Sequence, residues 1–386
     1  MLSGLIHIIE IILYIYFAVC VGYIALFSIA SCFFKPKAYP EINFRKRFAL
    51  LIPAYKEDAV IKECVLSALE QDYPAEKYHI IVISDHMQAA TNEYLRQYPI
   101  TLLEIQVEES SKAQALRIAA EHIRQESYDY VVILDADNLI PSYYLHELNK
   151  TLTPDIKAIQ THRKAKNLNT DTAILDAVIE EMNNSIFRKG HVQLGFSSAL
   201  IGSGMAFDAQ WFLQNIVYTQ SAGEDKELEE LLLRQGIHIA YRDSLETLDE
   251  KVQKPETMHR QRRRWIAAQL FLGCQMIRHI PMALVHGNGD YLLKTTQALI
   301  LPRSILVGFI GIISVTISIL SPLSSIKWWF LLILLTVSLY LAIPSPMRHK
   351  YMGRLVKQIP VFIVSMIFNL FHLKGMAHKF THTQHG

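Results

Sequence analysis

The stretch Val131-Val132-Ile133-Leu134-Asp135-Ala136-Asp137-Asn138, VVILDADN, sets four apolar residues directly before two carboxylates one residue apart. Taken alone it has two readings. Asp and Asn are common turn formers, so the stretch can be a buried strand closing into a turn. Residues two apart on extended backbone also point the same way, so Asp135 and Asp137 can share one site. The neighbouring sequence decides between them.

Around the stretch, apolar runs alternate with helical periodicity. Strands are predicted over 48–54, 78–84, 100–106, 130–134 and 156–160, with helices over 58–71, 111–124 and 142–152 and a polar helix ending near 98. Such alternation implies right-handed crossovers and a largely parallel, doubly wound α/β sheet. Near-continuous apolar strands fit a sheet covered on both faces. Ligands bind such sheets beyond the carboxyl ends of the strands. Three of the runs end in acid there: Pro53-Ala54-Tyr55-Lys56-Glu57-Asp58, Ile83-Ser84-Asp85 and Asp135-Ala136-Asp137. Clustered carboxylates repel unless a cation or a donor-rich ligand joins them. Hard oxygen ligands suit Mg²⁺ or Mn²⁺, which commonly bridge to phosphate oxygens. The chain has no GxxxxGK[ST] and no GxGxxG, so a phosphate here is held by metal and side chains rather than by a glycine-rich loop.

Four further features each have a functional and a plain reading. Lys112 opens the SSKAQALRIAAEH helix and either reaches a diphosphate or is a solvated helix-start lysine. Gly202 and Gly204 interrupt an apolar run, as a close approach to ligand or as a bulge. Asp225, in Gly223-Glu224-Asp225, is either a helix N-cap or a general base. Gln261, Arg264 and Trp265 share one helical face, facing either a leaving diphosphate and a sugar or, with Arg260, Arg262 and Arg263, lipid headgroups.

The flanks differ in composition. Residues 11–34 carry no charge, and Lys35, Lys37, Arg45, Lys46 and Arg47 follow. A span of this length crosses a bilayer, and the charge bias places the N-terminus outside and residue 35 onward in the cytoplasm. Two more apolar runs, 304–320 and 328–343, flank a short turn, with Lys327, Trp328 and Trp329 as expected interfacial anchors. The basic stretch 348–357 then returns the chain, and 360–373 is read as re-entrant or interfacial. The 386 residues are 51% hydrophobic with a net charge of +2, which gives no footprint for nucleic acid. The four cysteines form no CxxC pair, so neither a disulfide framework nor a zinc site is expected.

In order, PAYKE, a lone aspartate after the second strand, Lys112 in KAQAL, DxD, ED and QxxRW resemble a family 2 glycosyltransferase with the GT-A fold, in the membrane-embedded branch of cellulose, hyaluronan and chitin synthases. The resemblance covers about residues 46–270. It implies a donor site of Glu57, Asp85, Lys112, Asp135, Asp137, Gln261, Arg264 and Trp265. Asp135 and Asp137 would hold Mg²⁺ or Mn²⁺, Asp225 would be the catalytic base, and Gly204, Glu224 and Trp265 would lie on the acceptor side. It implies a nucleotide-sugar donor, UDP-linked by default, a glycan or lipid-linked acceptor, and contact with membrane lipids. The expected organisation is a transmembrane helix over 1–34, a cytoplasmic catalytic domain over 43–257, interfacial helices over 258–290 and a C-terminal membrane region over 291–386. The expected activity is sugar transfer with inversion, in cell-surface polysaccharide or glycolipid synthesis. A processive polymer synthase and a non-catalytic scaffold are the alternatives. The chain has fewer membrane helices than cellulose-type synthases and no clear FxVTxKG segment. The tail HKFTHTQHG, with His378, His382 and His385, is expected to fold back over the nucleotide.

Overall fold

The computed structural model describes residues 2–108, 110–221 and 223–370. One seven-stranded sheet organises the middle of the chain: β1 (Phe48–Tyr55), β2 (Tyr78–Asp85), β3 (Thr101–Ile105), β4 (Tyr130–Ile133), β5 (Ala158–Ala165), β6 (Met205–Asp208) and β7 (Ile239–Asp249). Their order is β3-β2-β1-β4-β6-β5-β7. β3, β2, β1 and β4 run parallel, and β5 and β7 pair parallel. β6 is antiparallel to both β4 and β5. This is the mostly parallel GT-A sheet that the sequence predicts, with β6 and β7 added.

Helices cover both faces. α1 (Leu2–Cys32) precedes the sheet; α2 (Ile61–Leu69), α3 (Ala89–Leu95), α4 (Lys112–Ile123) and α5 (Tyr144–Thr151) alternate with β1–β5. Alternate side chains of β1 point to opposite faces. Ala49 and Leu51 pack with Leu116 and Ala119 of α4. Phe48, Leu50 and Ile52 pack with Ile61 and Val65 of α2 and Leu145 and Leu148 of α5. α6 (Asp171–Asn184) runs through a π-helical stretch (Ser185–Gly190) into α7 (His191–Gln193); α8 (Ala209–Asn215) and α9 (Glu224–Arg234) flank β6 and β7. α10 (Pro255–Ile277), α11 (Ile280–Val285) and α12 (Gly289–Leu299) lead to α13 (Arg303–Leu320), α14 (Pro322–Ala342) and α15 (Ser345–Leu370).

α1, α13, α14 and α15 are each long and apolar enough to cross a membrane. α1 packs along α14 and over the π-helical stretch, where a Cβ on Gly190 would stand 2.2 Å from the Phe27 carbonyl oxygen, so the crossing requires glycine. At the far end of α1, Glu10 accepts from Lys327 Nζ at 2.8 Å and from Trp328 Nε1 at 2.8 Å. Trp328 is fully buried against Tyr14 and Phe17 rather than placed as an interfacial anchor. The basic stretch 348–357 and the apolar residues after it form one helix, α15, with Pro360 inside it. The sequence reading separated them because the apolar run from 360 is short for a span; here the helix continues through Pro360, although a proline removes one ladder bond. Residues 371–386, with the three tail histidines and the expected nucleotide cover, lie outside the described residues.

Candidate active site

The carboxyl edge of the sheet opens onto a cavity of about 720 Å³. Two residues turn the chain there in the left-handed region: Lys56 (φ 55°) after β1 and His86 (φ 54°) after β2. Each costs about 1 kcal/mol for a residue with a Cβ, and each swings an acid toward the edge. Glu57 and Asp85 both line the cavity. Asp85 is buried and accepts from His86 Nδ1 at 2.6 Å.

The VVILDADN stretch satisfies both of its readings. Asn138 N donates to the Asp135 carbonyl at 3.0 Å, and Asn138 Oδ1 accepts from Asp135 N at 3.0 Å, which closes a tight turn after β4. The turn aims Asp135 and Asp137 into the cavity. Asp137 is buried and accepts from Glu250 N at 3.0 Å and Asn138 Nδ2 at 3.1 Å. Asp249, ending β7, completes a group in which one oxygen from each of Asp135, Asp137 and Asp249 lies within 4.8 Å of the others. Three hard oxygen donors at that spacing fit Mg²⁺ or Mn²⁺. Asp249 is already neutralised: Arg163 bonds one oxygen and Lys251 Nζ the other at 2.7 Å. Burial works against its charge, yet these two cations hold its carboxyl below the usual range. Asp135 likewise bonds a cation, Lys112 Nζ.

Lys112 is the first residue of α4, whose N-terminus is capped by Ser111 Oγ accepting from Gln114 N at 3.2 Å. Its ammonium bonds Asp135 and the Gly202 carbonyl, the latter at 2.6 Å, and lies 3.6 Å from Glu224. Burial opposes its charge, but Asp135, Glu224 and Asp225 outweigh that and raise it above the ordinary lysine range. Lys112 is thus not a solvated helix-start lysine.

α9 forms the opposite wall. Its N-cap is Gly223, so Asp225 lies within the first turn with its carboxylate on the cavity instead of serving as the cap. Burial, and Asp225 beside it, push the Glu224 carboxyl up to about 7 against the pull of Lys112. Lys226 ties this turn down by bonding the Leu200 carbonyl and, at 3.2 Å, Glu229. From α10, Gln261, Arg264 and Trp265 all face the cavity. Burial lowers the Arg264 guanidinium from its usual range, while Glu224, Asp225 and Asp135 support its charge. Arg264 therefore lies in the field of both acidic walls. Gln261 Oε1 is buried with no hydrogen-bond partner among the described residues, the mark of a group awaiting a donor.

Gly202 and Gly204 part company. Gly202 lies at the cavity, and a Cβ there would stand 3.7 Å from Lys112 Nζ and 3.9 Å from Asp225 Oδ2. Gly204, expected on the acceptor side, does not line the cavity. It is stitched into the sheet, donating to the Ile133 carbonyl at 2.9 Å and accepting from Thr161 N at 2.8 Å. With φ +62° and a Cβ position 2.4 Å from Thr161 Oγ1, it is glycine because the sheet closes around it. Asp249, Arg163 and Lys251 are the site residues that sequence reasoning missed. Their signal was present: SLETLDE is another strand running into acid.

Residues 46–268 match the family described as Glycosyltransferase like family 2. With more than half the chain inside that match and the seven-stranded sheet around it, the chain belongs to this family. Poly-beta-1,6-N-acetyl-D-glucosamine synthase of Staphylococcus epidermidis is 28% identical over 127 residues, 31% of this chain and 29% of the synthase. The probable glycosyltransferase YdaM of Bacillus subtilis is 23% identical over 238 residues, 60% of this chain and 57% of that protein. The chain thus spans less than two thirds of either relative's length. The mannosyltransferase PcManGT of Pyrobaculum calidifontis, in complex with GDP-Man and Mn²⁺, has a similar fold, with a TM-score of 0.55 at 16% identity over 92% of this chain and 97% of that one.

Proposed function

We propose that the chain is an inverting, metal-dependent glycosyltransferase that moves a sugar from a nucleotide-sugar, a UDP-sugar first, to a membrane-associated glycan or lipid-linked acceptor. In this reading α1, α13, α14 and α15 cross the inner membrane, the domain over 43–257 is cytoplasmic, and 258–290 lies at the interface. The supporting observation is one cavity, lined by Asp135 and Asp137 on one wall and Asp225 on the other, in which Asp135 and Asp225 share the field of Arg264. Glu57 and Asp85, at the ends of β1 and β2, hold the nucleoside. A bound Mg²⁺ or Mn²⁺ supplies charge neutralisation at the donor diphosphate. Arg264 stabilises negative charge as the leaving nucleotide departs. Asp225 takes the proton of the acceptor hydroxyl as its oxygen attacks C1 of the sugar. A single displacement with one base inverts the anomeric carbon.

The test is nucleotide release by the full chain in nanodiscs with membrane lipids, across UDP-, GDP- and dTDP-sugars and with Mn²⁺, Mg²⁺ or EDTA. Release with one donor, abolished by EDTA and by Asp137→Asn or Asp225→Asn, is the expected result. No release with any donor, and equal nucleotide binding by wild type and Asp137→Asn, would overturn the reading in favour of a scaffold. Product length separates single addition from processive synthesis.

A further inference from the structure

The cavity does not end at the charged edge. It continues past α10 between α13, α14 and α15, where Val307, Leu339, Ile343, Leu355, Ile359 and Phe362 line it. Ile359 of α15 lines the cavity and is 40% exposed, so this half presents an apolar surface that the chain itself does not fill. A glycan strand would bury hydroxyls there without partners. A hydrocarbon chain would not.

Two guanidinium groups stand at the neck between the charged and apolar halves. Arg262 of α10 pairs with Asp176 of α6 and lies over Trp265, 4.7 Å from its ring centroid. Arg303 opens α13 and donates to Asn183 Oδ1 at 2.6 Å and the Ile179 carbonyl at 3.4 Å. Asp176, Ile179 and Asn183 lie on one face of α6, so both arginines converge there. Both of these Arg303 hydrogen bonds go to neutral oxygens, and Arg303 also lies over the Phe187 ring, 5.7 Å from its centroid. Its Nη1, and Nε of the buried Arg262, have no hydrogen-bond partner among the described residues, and both side chains line the cavity. Unmet guanidinium donors from two helices suit an anion with several oxygens.

We propose that this half of the cavity binds a lipid phosphate, with its hydrocarbon chain between α13, α14 and α15 and its phosphate on Arg262 and Arg303. That the lipid serves as acceptor rests on the transferase reading; that it binds does not. The test uses the full chain in phosphatidylcholine nanodiscs, with farnesyl phosphate, farnesol and inorganic phosphate as probes. Binding of a nucleotide-sugar with Mn²⁺ is read in the same samples. Farnesyl phosphate is expected to bind at least about 10-fold more tightly than either half-ligand. Arg303→Gln is expected to remove the advantage of the phosphate over the alcohol, and Ile359→Trp to weaken both lipids by filling the groove. A thermal midpoint on each variant shows that it is folded, and either variant alone suffices. Farnesyl phosphate binding no tighter than farnesol, inorganic phosphate binding as well as the lipid, or tight binding indifferent to both substitutions overturns the proposal. Lipid binding that follows the expected pattern while nucleotide-sugar binding fails upholds the lipid site and removes the transferase reading instead.

Discussion

The two halves of the sheet solve the same problem differently. In β1, β2 and β4 nearly every residue is apolar and buried, and charge appears only where the strand ends. β5 and β7 carry polar groups in their interior. Gln160, Thr161 and Thr247 are fully buried, and Thr161 Oγ1 lies 2.8 Å from Thr247 Oγ1. His162 lies between Glu181 at 3.0 Å and Asp243 at 3.2 Å. Asp249 is closed off by Arg163 and Lys251, and Glu180 by Arg188 at 3.2 Å. The first half is held by packing and leaves its acids facing a cavity. The second is held by a network of paired charges and buried hydrogen bonds and serves as a frame.

Substitutions break this contrast in measurable ways. Removing the cavity acids should affect activity alone. Asp225→Asn is expected to slow turnover about 10²- to 10⁴-fold, and Asp137→Asn at least about 100-fold, each with an unchanged thermal midpoint. A midpoint that falls with activity would make these acids part of the frame. Gly204→Ala should do the reverse. Left-handed backbone and overpacking against Thr161 together are expected to cost about 2–5 kcal/mol of stability, read by denaturation in detergent.

His162 gives a pH test of the frame. Burial disfavours its charge, but Asp243 and Glu181 raise it from 6.5 to about 9. A group whose folded value is raised contributes fully below its unfolded value and loses that contribution as pH climbs through the folded one. Stability should therefore fall between about pH 6.5 and 9, by up to about 3 kcal/mol, and His162→Gln should flatten the slope. A slope that survives the substitution would assign it to another group. The smallest effect belongs to the exposed pair Lys164–Glu246, 2.8 Å apart on the same strands. Lys164→Ala is expected to change stability by no more than about 0.5 kcal/mol; a larger loss would extend the network to the surface.

The same contrast explains what could be read from the sequence. β1, β2 and β4 announce themselves because uninterrupted apolar runs end in acid. β6 has four residues and two neighbours running against it, too little for a pattern. β7 alternates, but its polar positions answer to partners in β5 and α6 that are distant in the chain. Asp225 and the Gln261, Arg264 and Trp265 face were visible as spacing. That they share a cavity with Asp135 was not, because only the fold brings α9 and α10 over the β4 edge. Gly204 misled because glycine beside a site and glycine inside a tight sheet look alike in one dimension. Trp328 misled similarly: a tryptophan beside a lysine near a span end suggests an interface, and its partner Glu10 lies 318 positions away.

That separation has a consequence in time. Ribosomes add about 5–20 residues per second, so on synthesis Glu10 is made roughly 15–60 s before Lys327 and Trp328. A carboxylate without its cation is costly in lipid. The lock between α1 and α14 can close only late, after the whole catalytic domain has emerged between them. α1 thus gains its partner α14 only after the sheet and the helices around it have been made.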